Sequence, residues 1–199
     1  DVDATAAFGV LFPELSEAYI TVANALVDYD LSADATDVLF TEIELLSVVC
    51  GSTAHHCITA DGTTWGAESW FDDDYYPGTG TSYAAPIVTG SIALIAEAFP
   101  DLSPAAWTAR LLASANMGIP GFTEFDTVDF GNGVVKPYDW QYGHGFLDVA
   151  AALSPIGDVS FLSGTHVATA ERYALGDTHL TGSAAYGDAL AGALEGHEI

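Results

Sequence analysis

The sequence predicts an α/β fold, and three observations carry that expectation. Residues 19–27, Tyr-Ile-Thr-Val-Ala-Asn-Ala-Leu-Val, form a strand-length run rich in β-branched and apolar side chains. Asp28 and Asp30 follow and are expected to end it. Residues 43–49 form a second apolar run of strand length. Ala84, Ala85, Ile87, Val88, Ile92, Ala93, Leu94, Ile95, Ala96 and Phe99 then point all round a helix, and such a helix belongs inside a core. Strands followed by buried helices are the makings of a layered α/β domain.

The totals bound the function. A chain of 199 residues is long enough for one domain with a real core, and half of its residues are hydrophobic. Twenty-eight Asp and Glu face three cations, Arg110, Lys136 and Arg172, for a formal net charge of −25. Such a chain repels nucleic acid and anionic membrane, so neither is an expected partner. An acidic surface suited to high salt or seawater is the simplest account of the charge, and dedicated calcium sites are the other. No run of 18 apolar residues exists, so no membrane span is expected. The sequence starts at Asp1 without an initiating Met or a signal peptide, and is expected to be a processed or truncated piece.

Taken in order, residues 1–17 carry no clear signal. Asn24 sits inside the first strand pattern. Cys50 and Cys57 are the only two cysteines and bracket His55 and His56. Disulfide, free thiols and a zinc site are the options, and two adjacent His between two Cys fit a tetrahedral ion poorly. The two His are expected to be solvated loop residues. Trp65, Trp70, Phe71, Tyr75 and Tyr76 alternate with Asp72, Asp73 and Asp74; core packing is the default for such aromatics, with a cleft lining the other option.

Residues 78–82, Gly-Thr-Gly-Thr-Ser, are a tight turn leading straight into the long apolar segment. Ser82 therefore stands where a helix begins. It has two possible jobs. As an N-cap, its hydroxyl accepts from a free N–H of the first turn. As a nucleophile, it has those same N–H groups and the positive end of the helix dipole beside any oxyanion that forms there. Ser103-Pro104 is a second helix start, with Ser as N-cap and Pro at the first helical position. Trp107, Leu111 and Ala115 share one face of that helix, and Gly118 is its expected stop. Residues 120–145 read as a long loop. Glu124, Asp126, Asp129 and Asn132 in it could hold calcium but match no known calcium-loop spacing, so structural calcium stays an open but unsupported option and no metal site is assigned.

The longer string Gly80-Thr81-Ser82-x-Ala84-x-Pro86-x-Val88-x-Gly90 resembles the serine motif of the subtilisin-like proteases, with Tyr83 in place of the usual Met. The resemblance implies that Ser82 is the nucleophile, that its own N–H is an oxyanion donor, and that Gly80 and Thr81 support the turn. It implies a subtilisin-like parallel sheet with flanking helices, with the helix after Ser82 buried at its centre. Residues 142–153 resemble a second signature of the family, Gly-x-Gly followed by Leu147-Asp148 and Ala152; its role is packing, so His144 is not expected to be catalytic. Cys50-Gly51-x5-Cys57 resembles the disulfide loop of autotransporter-type members. Residues 19–27 resemble the strand that follows the family's oxyanion asparagine, but Asn24 falls where the family has glycine and is read as structural. Asp61 replaces Pro in an Ala-Pro-Gly element. Residues 182–190 resemble the linker after the protease domain of autotransporter proteases.

The resemblance covers about residues 10–155 and implies the incomplete, C-terminal half of a peptidase domain over 1–155. Residues 156–199 are then a linker or short β-type extension. The family places Asp, then His, before the serine. Upstream of Ser82 only His55 and His56 occur, too close in sequence for that role, and no His-Gly-Thr string or asparagine motif is present. The chain is therefore expected to be part of a serine endopeptidase, secreted or at a bacterial cell surface. It would act on protein or peptide through an acyl-enzyme on Ser82, with no cofactor. The triad Asp and His and the oxyanion Asn are expected upstream of Asp1, and the isolated chain is expected to be inactive. Its strand at 19–27 should have an unpaired edge, and one side of the 82–99 helix should be poorly covered. Two alternatives remain. One is a non-catalytic acidic adhesin or protease relic. The other is a different serine hydrolase, against which the Gly-x-Ser-x-Gly elbow is missing.

Overall fold

The computed structural model describes residues 7–12, 19–32, 38–67, 73–131 and 133–156, and two strands at 160–163 and 171–174. The chain divides into two compact units, Asp1–Gly157 and Asp158–Ile199. Trp70, Phe71, Asp72, Asn132 and the linker-like stretch 182–190 lie outside the described residues.

The first unit is a mixed α/β layer. A short helix α1 (Phe8–Leu11) precedes β1 (Thr21–Leu31), β2 (Val38–Leu45), a 3₁₀ turn (Gly51–His56) and β3 (Cys57–Ala60). The sheet order is β2-β1-β3. β1 and β3 run parallel, with Thr21 opposite Cys57 and Asn24 opposite Ala60. β1 and β2 run antiparallel from Ala25↔Leu45 to Leu31↔Val38. Three expectations change here. The first strand does not stop at Asp28, because β2 supplies a ladder that carries it to Leu31 with the carboxylates of Asp28 and Asp30 in solvent. β1 is central, so its expected open edge is covered by β2 from Ala25 onward. The second strand lies at Val38–Leu45 rather than 43–49, because antiparallel register with β1 decides its extent.

β4 (Thr63–Ala67) and β5 (Tyr75–Thr79) form a hairpin that delivers the chain to α2 (Thr81–Ala98). Trp65, Tyr75 and Tyr76 are 62–70% exposed on it, so these aromatics are not core residues. Helix α2 buries Ala84, Val88, Ser91 and Ile95, a single stripe at helical spacing, against Ile58 and Ala60 of β3. It is not enclosed on all sides: Ile87 and Leu94 are 42% and 50% exposed. The poorly covered side anticipated for the isolated chain is present.

α3 (Pro104–Ala113) starts as its sequence requires, with Ser103 Oγ accepting from Ala106 N–H at 3.2 Å. Leu111, Leu112 and Ala115 enter the core and Trp107 packs against it. The helix ends at Ala113, before Gly118, because Asn116 leaves it to exchange backbone hydrogen bonds with Phe146 at 2.7 and 2.9 Å. Residues 120–145 are not one loop: β6 (Asp126–Asp129) and β7 (Val135–Tyr138) pair antiparallel within them. Glu124, Asp126 and Asp129 are exposed there. α4 (Val149–Leu153) is capped by Asp148, whose Oδ1 accepts from Ala151 N–H at 2.8 Å. Arg110 Nε donates to Ala152 O at 2.6 Å and its Nη2 to Ser154 O, so a cation from α3 meets the carbonyl end of α4. In the second unit, β8 (Ser160–Ser163) and β9 (Glu171–Ala174) form an antiparallel pair.

The 143–147 segment seals the outer edge of β3. His144 N–H donates to Cys57 O, Thr59 N–H to Gly145 O and Leu147 N–H to Thr59 O, at 2.8–2.9 Å. Close approach requires glycine. Gly143 has φ +64° and a Cβ there would sit 2.2 Å from Cys57 O; Gly145 has φ +121° and a Cβ would sit 2.4 Å from Asn116 O. The Gly-x-Gly signature is thus a packing device, as its resemblance implied.

Candidate active site

Ser82 is built from the turn upward. Gly80, the N-cap of α2, accepts from Tyr83 N–H at 3.0 Å and Ala84 N–H at 3.1 Å. Thr81 and Ser82 are then the first two helical residues, and the N–H groups of a first turn have no partner inside the helix. Ser82 is not the cap, and α2 has no side-chain cap at all. Among the described residues its exposed hydroxyl has no hydrogen-bond partner, so the capping role that the sequence left open is not taken up. Pro86 lies four residues on and has no N–H, so the usual i+4 bond to the Ser82 carbonyl is missing.

Thr81, Ser82 and Ala85 line one side of a cavity of about 410 Å³. Its other walls are Tyr19 and Ile20 just before β1, Thr21, Val22 and Ala23 at its start, the Ser47–Val48–Val49 connection, and both cysteines. No His, Asp or Glu is among these lining residues. A serine beside free first-turn N–H groups can hold an oxyanion, but among the described residues that line this cavity none is an imidazole or carboxylate that can take its proton.

Cys50 and Cys57 are joined, with their Cα atoms 6.0 Å apart, and both are buried. The bridge closes the 3₁₀ turn that carries His55 and His56. Those two residues are half-buried, not solvated, with rings 4.4 Å apart. They line a separate cavity of about 330 Å³ with Asp129 and Phe130. Burial lowers both imidazole pKa values, and the neighbouring His55 lowers His56 further. His144 is 1% exposed, its Nε2 3.1 Å from His55 O, between the rings of Phe130 and Tyr138. Among the described residues its Nδ1 makes no hydrogen bond, although the Pro137 backbone acts on the ring to favour its protonated form. Burial pushes this imidazole down to about 4, against the pull of the His55 carbonyl. None of the three lines the Ser82 cavity.

Asn24 is fully buried, with both ends of its carboxamide engaged: Oδ1 accepts from Gly62 N–H at 2.7 Å and Nδ2 donates to Thr79 Oγ1 at 3.0 Å. It is therefore not an oxyanion donor. Asp139 was missed by sequence reasoning. It is buried and accepts from the N–H groups of Thr123, Gln141 and Tyr142 at 2.5–3.0 Å, which orders the approach to Gly143. An Asp three residues before a Tyr-Gly turn was the available signal. Among the described residues no group of three His, Cys, Asp or Glu is placed to hold a metal ion. No helix among them is long and apolar enough to cross a membrane.

Comparison with known proteins adds to this geometry. The model of the subtilase family matches residues 7–145. "Subtilisin-like protease SBT3.12" of Arabidopsis thaliana is 35% identical over 85 residues, which cover 41% of this chain and 10% of that protein. "Subtilisin-like protease SBT3.11" of the same plant is 39% identical over 69 residues, 30% of this chain and 9% of that protein. The matches thus span about a tenth of the length of these relatives.

Proposed function

This chain belongs to the subtilase family of serine peptidases, and on that premise we propose that it is the nucleophile-bearing, C-terminal half of a subtilisin-type endopeptidase domain. Ser82 is the nucleophile. One observation carries the assignment: a serine hydroxyl in the first turn of α2, unpartnered among the described residues, on the wall of the about 410 Å³ cavity. Ser82 Oγ adds to the scissile carbonyl, whose π electrons move onto oxygen. The Ser82 N–H donates to that oxyanion, and Gly80 and Thr81 shape the turn. The Oγ proton passes to an imidazole from outside this sequence, which returns it to the leaving amine. Water then releases the acyl group from Ser82.

The base, its carboxylate partner and the side-chain oxyanion donor come from a segment that precedes Asp1. That same segment covers the exposed Ile87 and Leu94 side of α2. The substrate is a protein or peptide, and serine acyl transfer of this kind needs no cofactor. Residues 1–155 form the peptidase part and 156–199 a linker or β-type extension, as in autotransporter members. The buried disulfide fits an oxidising location, secreted or at the cell surface.

A second reading has one observation behind it: among the described residues no imidazole or carboxylate lines the Ser82 cavity. On that reading the chain is a non-catalytic acidic surface module. A fluorophosphonate probe on the protein with its upstream segment separates the two. Labelling at Ser82, lost in Ser82→Ala, supports the nucleophile; labelling unchanged by that substitution overturns it.

A further inference from the structure

We propose that Asn24 is a positioning residue for Ser82, its buried carboxamide setting the turn that presents the nucleophile. This role rests on Ser82 being the nucleophile. The main chain of Asn24 is spent on one side of β1: its N–H donates to Ser47 Oγ at 3.0 Å and its carbonyl accepts from Leu46 N–H at 2.8 Å. Its side chain ties together the two segments that flank the Ser82 turn. Oδ1 holds Gly62, which leads into β4, and Nδ2 holds Thr79, the last residue of β5. Gly62 O in turn accepts from Gly80 N–H at 3.3 Å, and Gly80 O accepts the first two bonded N–H groups of α2. Thr63 Oγ1 donates to Thr79 Oγ1 at 3.2 Å, which joins the hairpin ends directly.

Space at Gly62 is tight. A Cβ on Gly62 would stand 2.3 Å from Gly80 O, 2.7 Å from Asn24 Oδ1 and 2.9 Å from Ala84 N. The carboxamide, Gly62 and the first turn of α2 thus share one close-packed spot. A carboxamide here supplies an acceptor for Gly62 and a donor for Thr79 at a fixed separation. Leu supplies neither, so the Gly62 N–H and the Thr79 hydroxyl lose the bonds that hold the turn. A shift of the turn moves Ser82 Oγ and its N–H together, away from the base and the scissile carbon. Misplacement of about 1 Å costs up to ~10²-fold in rate.

The test uses the protein with its upstream segment. Asn24→Leu should lower kcat on a peptide substrate by roughly 10–100-fold, with KM changed less than about twofold. Ser82 labelling by fluorophosphonate should slow in step. Thr79→Val, at an exposed position, should slow both in the same sense, and Thr79→Ser should recover most of that loss. The double variant should be little worse than Asn24→Leu alone, because both substitutions cut one network. Should Asn24→Leu fail to fold, the Thr79 pair decides. A folded Asn24→Leu with unchanged kcat, or a Thr79→Ser no better than Thr79→Val, overturns the positioning role alone. Activity and labelling indifferent to Ser82→Ala would overturn the nucleophile and the positioning role together.

Discussion

The two flanks of the parallel β1–β3 pair differ in what they leave unfinished. On one flank, the 143–147 segment saturates the edge of β3, places Gly143 and Gly145 where no side chain fits, and buries His144. On the other, α2 opens onto a cavity at Ser82 and leaves Ile87 and Leu94 in solvent. The sealed flank pairs its backbone groups within this chain, with His144 Nδ1 left as the unpaired side-chain atom among the described residues. Among the described residues the open flank has an unpartnered serine and uncovered apolar area, the kind of surface that the proposed upstream segment would complete. Substitutions on the first should therefore cost stability, and on the second, function.

The largest effect is expected at Gly143. In Gly143→Ala the added Cβ meets Cys57 O in a backbone conformation that alanine disfavours. Strain and overpacking together should cost about 3–5 kcal/mol. Ser82→Ala, on the open flank, should change stability by less than about 0.5 kcal/mol. Thermal melts of both check the contrast, and similar losses at the two sites would erase it.

Next comes acid. His144 is held neutral in the fold, down to about 4 from an ordinary 6.5. The unfolded chain therefore binds the proton first. The stabilisation is complete above pH 6.5, declines as pH falls through that window, and is gone below about 4, a total on the order of 3 kcal/mol. His55 and His56 are lowered too and add in the same direction. Denaturant titrations between pH 7 and 5 should show this slope, flattened in His144→Phe; an unchanged slope in that variant would assign it elsewhere.

Reduction of Cys50–Cys57 should cost about 2–3 kcal/mol, because the closed loop is short. Intact mass with and without reductant establishes the bridge, and paired melts measure its worth. The smallest expected effect is that of salt. Asp28 stands opposite Glu42 in the exposed β1–β2 ladder, in a chain of net charge −25. Screening such repulsion should raise Tm by a few degrees between dilute buffer and about 1 M salt. A flat or falling trend would point to carboxylates already compensated by bound cations.

What was legible in the sequence was local chemistry. Ser103-Pro104 specifies its own helix start, the Ser82 turn specifies another, and Gly143-His144-Gly145 marks a close backbone approach. What was not legible depended on distant partners. Asp28 and Asp30 look like a strand end until β2 pairs with them. Trp65, Tyr75 and Tyr76 look like core until the hairpin turns them outward. The α2 face bearing Ile87 and Leu94 reads as buried because its composition suits a core that the described residues only half supply. Asn24 gave no local sign of its role, since Gly62 and Thr79 lie 38 and 55 residues away.

The central claim is that Ser82 is a nucleophile whose base lies outside this chain. Hydrolysis of casein by residues 1–199 alone, and by the same chain with its upstream segment, tests it directly. Without a base, and with only the backbone oxyanion donor, the isolated chain should show no turnover, since loss of one donor alone costs ~10²–10³ in rate. The longer protein should be active and lose activity in Ser82→Ala. Activity of the isolated chain that Ser82→Ala abolishes would contradict the claim and return His55 and His56 to consideration.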